Sequence, residues 1–416
     1  MTPEVKDKIE QIRNGKVPEG YKKTKAGILP ADWTLCTIGD CLERVERPVD
    51  VQADEMYSQI GIRSHGKGLF YKEPVTGASL GNKAVFWIEP DCFVLNIVFA
   101  WEQAIGKTTQ NEVGMIGSHR FPMYRPIDGR VDVDYLITYM LTKRGKDILE
   151  AASPGGAGRN RTLGQDRFLK SKIILPSPDE QRRIAEVITT QDKVIELKER
   201  RLVEKQRQKK YLMQQLLTGK KRLPGFDGEW THVRANQIFK NVTDKKHDGT
   251  LEVLSATQDR GIIPRSQVDI DIKYAEESLT GYKKVVKGNF VISLRSFQGG
   301  IEYSEYTGIV SPAYTVLTSI YPIEDNYYKQ FFKSADYINR LNIAVYGIRD
   351  GKQISYDDFG RIKIPYPPLD EQKAIATVLA TADKEIEILK QTIEQEKQKK
   401  KALMQLLLTG IVRVSV

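Results

Sequence analysis

The sequence predicts a mixed α/β chain of the α+β kind. Two tandem globular domains are separated and linked by two long helices that form an antiparallel coiled coil, with pseudo-two-fold repetition. Three observations carry this. Residues 179–219 recur as residues 370–410, shifted by 191 positions, with about 20 of 41 positions identical. Both copies lack Gly and Pro until their last residue and place apolar residues at heptad spacing. The remaining stretches are rich in short β-prone runs broken by Gly, Asn and Pro. Two distant copies are too few for a solenoid. They mark a duplicated module on one chain, whose halves can diverge in what they bind.

The elements follow in order. Residues 1–178 form a first globular domain, opened by a helix-prone segment at 4–13; residues 179–222 are the first long helix. Residues 223–369 form a second domain, and residues 370–416 the second helix. The seam of the first copy is Ile188, Ile195, Leu202 and Leu216, and that of the second is Leu379, Ile386, Ile393 and Leu407. Lys209 and Lys400 interrupt it at equivalent positions. Even a helix of about 33 residues is about 50 Å long at 1.5 Å per residue, more than one small domain needs to cover. Mutual pairing is therefore expected over packing of each helix on its own domain. Gly219 and Gly410 suit C-terminal stops. The domains themselves repeat weakly: Trp33 matches Trp230, Phe93 matches Phe290, Asp166 and Phe168 match Asp357 and Phe359, and Pro176 matches Pro367. A substantial twisted sheet is expected in each, with helical patterns at 133–149 and 327–345 before the last strands.

The formal net charge of +10 over 416 residues favours an acidic partner, nucleic acid first. Most of the excess lies on the repeated segments and their basic tails, so a DNA face on either domain must be a local patch. No apolar run reaches the ~20 residues that span a bilayer, and the N-terminus has no secretory pattern. Three cysteines without a CxxC pair and four scattered histidines point to reduced thiols in the cytoplasm and to no zinc site.

Enzyme motifs fail on inspection. Residues 61–67 fit the first seven positions of a phosphate-binding loop, but Gly68 stands where a Ser or Thr must hold magnesium. Pro178-Asp179 followed by Glu196-Leu197-Lys198 mimics a nuclease pattern. Its carboxylates would lie ~25 Å apart along one helix, too far to share a metal.

Reading bases requires Arg, Lys, Asn or Gln on loops that reach a groove. In the first domain the candidates are Arg63, His65 and Lys67 among glycines, then Arg159 and Arg161 after the Gly-rich 155–158. In the second they are Gln258 and Arg260, Arg295 and Gln298, and Arg349 and Lys352, which align with Gly158 and Arg161 of the first. The basic runs at 205–210 and 397–401 are read as solvated or partner-facing. Trp87 and Trp101 are read as core residues.

The chain resembles the specificity subunits of type I restriction–modification systems. The resemblance spans essentially the whole chain. It is carried by LPSPDEQ at 175–181 and YPPLDEQ at 366–372, by the exits YLMQQLLTGKKRL and ALMQLLLTGIVRV, and by the openings ILPADW and LPGFDGEW. It implies a non-catalytic subunit whose two target-recognition domains each read half of a split, asymmetric duplex DNA site. The helices set the spacer and bind two DNA methyltransferase subunits, and two motor–nuclease subunits join to make the restricting complex. S-adenosylmethionine, ATP and Mg²⁺ belong to those partners, and this chain carries no cofactor or metal. The alternative is a protein-interaction scaffold or antirestriction decoy of the same fold.

Overall fold

The computed structural model describes residues 3–24, 27–81, 83–155, 161–268, 276–344 and 354–414. The chain divides into two compact units. One comprises Met1–Leu197 with Ile393–Val416, the other Lys198–Thr392. Each therefore contains a globular head and one half of each long helix.

The long helices run Pro178–Leu216 and Leu369–Leu407. Each begins just after a proline-containing strand exit, where residues are held extended. Each ends at a glycine in the left-handed region, Gly219 at φ 70° and Gly410 at φ 69°. Within the first unit the helical halves run antiparallel: Gln191 Nε2 donates to Glu396 Oε2 at 2.8 Å and Lys400 pairs with Asp192 at 2.6 Å. Within the second, Lys205 pairs with Glu385 at 2.7 Å and Lys209 with Asp383 at 2.5 Å. Ile188, Ile195, Leu216, Leu379, Ile386, Ile393 and Leu407 are buried; Leu202 is only half-buried.

Pairing and packing on the head both occur. In the first unit Ile184, Ala185, Ile188, Leu407 and Leu408 share one apolar core with Phe93, Tyr124, Tyr135 and Phe168 of the head. In the second, Leu216, Leu217, Ile375, Ala376 and Leu379 share a core with Phe239, Phe290, Phe332 and Phe359. The seam positions nearest a head are thus claimed by that head as well as by the opposite helix.

The heads are built alike. In the first, Leu42–Val45, Met123–Pro126, Phe93–Leu95 and Ile105–Lys107 form an antiparallel sheet in that spatial order. In the second, Phe239–Val242, Thr315–Ser319, Phe290–Ile292 and Glu302–Tyr303 repeat it. A second sheet of the first head orders Leu69–Thr76, Met56–Ile62, Ile116–Ser118 and Val85–Trp87. Its counterpart in the second head is two separate pairs, Leu254–Thr257 with Gly261–Pro264 and Lys283–Val285 with Gly308–Val310, tied by a single Val253–Ile309 bridge. The expected substantial sheet is therefore several short ones. Glu89, Pro90 and Asp91 break the long β-prone run between Val85–Trp87 and Phe93–Leu95. The helical patterns also divide, into Val133–Met140 with Lys143–Ala152 and Asp325–Phe331 with Ala335–Ala344. An N-terminal helix covers Pro3–Arg13.

Candidate nucleic-acid interface

The motif residues that frame each head turn out to be a buried polar joint. Glu180 of the first DEQ is fully buried. It accepts from the Trp33 indole at 3.2 Å and from Arg413 at 2.5 and 2.8 Å. Arg413 also holds Asp32. In the second unit Glu371 accepts from Trp230 at 2.9 Å and from Arg222 through two bonds of 2.6 Å. These carboxylates hold both guanidinium groups firmly charged and raise their pKa. The neighbouring Gln181 Oε1 accepts from Asp132 N, the cap of Val133–Met140, at 2.9 Å. Gln372 Oε1 does the same for Glu324 N, the cap of Asp325–Phe331. These motifs are legible in the sequence; their joint is not, although its signal is there, since Glu180 and Glu371, and Arg222 and Arg413, stand at the same 191-residue shift.

On this frame the first head presents the hairpin of Met56–Ile62 and Leu69–Thr76. Its turn is closed by Arg63 N donating to Gly68 O at 3.0 Å. His65 and Gly66 are left-handed, at φ 61° and 63°. A side chain at Gly66 would meet the Leu141 side chain at 2.3 Å and force it to shift, so the left-handed turn favours glycine here. The tip docks on the segment after Phe93–Leu95: His65 N donates to Glu102 O at 2.8 Å and Gly66 N to Gln103 O at 2.9 Å. Ser64 Oγ adds a bond to Glu102 at 2.8 Å. The same segment carries Trp101, whose ring lies 5.5 Å from the Arg161 guanidinium. The turn with Arg63, His65 and Lys67 is thereby brought together with Arg161. All three turn residues are exposed. Arg63 lies over Phe70 and gives one bond to Leu69 O. This leaves most of its five donors uncommitted among the described residues. Trp101 is half-buried and stacks a cation, so the core reading of it holds only in part; Trp87 packs against Tyr57.

The second head repeats the assembly. The turn between Leu254–Thr257 and Gly261–Pro264 carries exposed Gln258 and Arg260. Arg260 Nη1 gives a bond to Gln267 O at 3.2 Å. The helical turn Ser296–Gly299 follows Phe290–Ile292, with Arg295 as its cap and Gln298 within it, both exposed. A side chain at Gly299 would lie 2.8 Å from Gln258 Cγ, so the turns are in contact. Gly300 is left-handed at φ 79°, as is Gln103 at φ 58° at the equivalent place. Arg159, Arg349 and Lys352 lie outside the described residues.

The solvated reading of the basic runs holds for most of their residues, Arg207, Lys210, Lys399 and Lys401 among them being exposed, and needs correction at three positions. Lys205, Lys209 and Lys400 are engaged by Glu385, Asp383 and Asp192 across the helix pair rather than solvated. The interruptions of the seam are cross-helix ion pairs, repeated because both lysines and both aspartates recur at the same shift. The phosphate-loop mimic is a strand–turn–strand hairpin, not a strand leading into a helix. Glu196 and Lys198 lie along one helix with Asp179, as their spacing requires. Among the described residues no cluster of His, Cys, Asp and Glu can hold a metal, and no helix is long and apolar enough to cross a membrane. The thiols of Cys36 and Cys41 lie 3.3 Å apart, and burial pushes Cys36 up to about 12.

The chain is similar to the MjaX and MjaVIII type I restriction enzyme specificity subunits of Methanocaldococcus jannaschii. It is 24% identical to each, over 95% of its own length and 97% and 96% of theirs. In fold it resembles the HsdS subunit of Thermoanaerobacter tengcongensis, with a TM-score of 0.55 and 19% identity over 92% of this chain and 98% of that one. A further solved structure, described under complex assembly and conformational transition of a type I restriction–modification system, matches with a TM-score of 0.60 and 18% identity, over 92% of this chain and 99% of that one. The family model of the type I restriction modification DNA specificity domain matches residues 81–205 and again 228–398, together well over half of the chain. The chain belongs to this family, the DNA specificity subunits of type I restriction–modification systems, which are non-catalytic.

Proposed function

We propose that each unit reads one half of a bipartite, asymmetric duplex site. The paired helices set the spacer and carry two DNA methyltransferase subunits, and two motor–nuclease subunits join in the restricting complex. S-adenosylmethionine, ATP and Mg²⁺ act on those partners in the cytoplasm, and this chain contributes none of the chemistry. One observation carries the reading. The two heads seat the same pair of turns on the same four-strand order, yet arm them differently. The first offers Arg63, His65 and Lys67, with Arg161 beside them over Trp101; the second offers Gln258, Arg260, Arg295 and Gln298. Arg and Lys suit guanine, while Gln suits adenine. Equal frames with unequal side chains are what two readers of unlike sequences need. Arg159, Arg349 and Lys352 are assigned to the same faces from sequence alone.

The test is methylation mapping. The chain is expressed with a methyltransferase partner and modified adenines are located across the genome. A split motif with two unlike halves and a fixed gap is expected. Modification without a motif, or at a single unbroken motif, would defeat the proposal. A protein-binding scaffold would leave binding to DNA indifferent to sequence at every salt concentration. A specific complex loses affinity with salt but keeps its discrimination.

A further inference from the structure

The second unit joins its two candidate turns through one side chain. Lys333 Nζ donates to Gln258 O at 3.2 Å, to Gly299 O at 2.9 Å and to Glu302 Oε1 at 2.5 Å. Gln258 belongs to one turn and Gly299 to the other. Glu302 is only 2% exposed and sits on the short strand Glu302–Tyr303 that follows the second turn. An ammonium has three donors, and all three are used here. The junction is tight around it. A side chain at Gly300 would lie 2.0 Å from Phe332 O, beside Lys333, and one at Gly299 would meet Gln258.

The first unit makes the equivalent junction without an ammonium bridge; Ser64 Oγ donates to the Glu102 carboxylate at 2.8 Å. Its turns meet through the main-chain bonds from His65 to Glu102 and from Gly66 to Gln103. Leu141, which corresponds to Lys333 at a shift of 192 residues, packs its side chain against Gly66. Where one head places leucine, the other places an amine that bridges two turns and a buried carboxylate.

We infer that Lys333 is a positioning residue for the second reader. It sets the spacing between the turn bearing Gln258 and Arg260 and the turn bearing Arg295 and Gln298, and so the discrimination of one half-site. This rests on the reading that those turns face DNA. With its three donors committed, Lys333 has none left for a base or a phosphate, so it acts through the turns it joins. Its loss therefore loosens one half-site and leaves the other alone.

The test selects bound duplexes from a randomised pool with the full chain, its K333M variant and the K333M/E302L double variant. The single variant strands a buried carboxylate and can destabilise the unit. The double variant replaces both the part-buried lysine and its buried carboxylate by apolar groups, removing that penalty while still releasing Gln258 O and Gly299 O. The double variant is expected to melt close to the wild type. Its motif should lose discrimination about tenfold in one half, roughly the share of one base pair. The other half and the gap should be unchanged, and Arg295→Ala should relax the same half. A double variant that melts like the wild type and selects its motif in both halves overturns the inference. So does equal loss in both halves. If the wild-type chain itself selects no motif, DNA reading fails together with the inference, which separates the two failures.

Discussion

Arg222 and Arg413 each close a head from the far end of a long helix, and each does so on a fully buried glutamate. Removing one partner of such a pair leaves a charge stranded in the interior. Arg222→Ala should therefore destabilise the second unit by roughly 3 kcal/mol, the lower end for a buried pair, since Arg222 is partly exposed. Urea unfolding followed by a probe in that unit checks this. Arg222→Lys should recover little, because a lysine cannot donate the two parallel bonds that Glu371 accepts. The hydrogen bond from Arg413 holds the Asp32 carboxyl below its ordinary pKa of 3.8. A depressed acid stabilises the fold above its ordinary pKa and loses that stabilisation as pH falls through the lowered value. Melting temperature plotted against pH should accordingly fall less steeply below about pH 4 in Asp32→Asn than in the wild type. The effect is small because Asp32 is largely exposed. At the proposed reading face, Arg295→Ala should cost about 1–3 kcal/mol of discrimination in one half-site and none in the other. Competition binding with duplexes altered in either half would decide it, and equal loss in both halves would count against two independent readers.

The long helices were legible because their signal is local and repeated. Heptad spacing, the absence of glycine and the stops at Gly219 and Gly410 all lie within the 41-residue copies. The frame of the candidate site was legible only as motifs. Nothing in DEQ alone says that its glutamate meets a tryptophan 147 residues upstream and an arginine 233 residues downstream. The seam was misjudged where competing physics won. Leu202 is half-buried, while Lys209 and Lys400 earn their seam positions by reaching Asp383 and Asp192. The sheets were overestimated because a continuous β-prone run hides the turn at Glu89–Pro90–Asp91. Charged loops such as that of Arg63 could be nominated by composition. Their docking on Glu102 and Gln103 is made by main-chain bonds, to which side-chain patterns are blind. Because Leu216 and Leu407 serve both a head and the opposite helix, replacing each by Asp should broaden and lower the melting transition by far more than a surface change would. An unaltered profile by calorimetry would mean that these helices contribute no shared core.

At the scale of the whole molecule, the proposed ruler can be lengthened by a known increment. Seven residues inserted into each long helix, after Leu197 and before Ile393, would add about 10 Å at 1.5 Å per residue. At about 3.4 Å per base pair this is close to three base pairs of extra spacer. Methylation mapping of the variant should show the same half-sites set about three base pairs further apart, and an unchanged gap would refute the ruler. The division of the chain has a consequence for how it is made. The first head is closed by Arg413, which emerges from the ribosome only after the entire second head has been synthesised. Glu180 and Asp32 must wait, their partner still untranslated, while the second head already has Arg222 in hand when Glu371 appears. Biogenesis thus runs against chain order: the half translated first is the half completed last, and a nascent chain that has emerged past Thr392 but not as far as Arg413 carries the whole of the second unit and a first head left open.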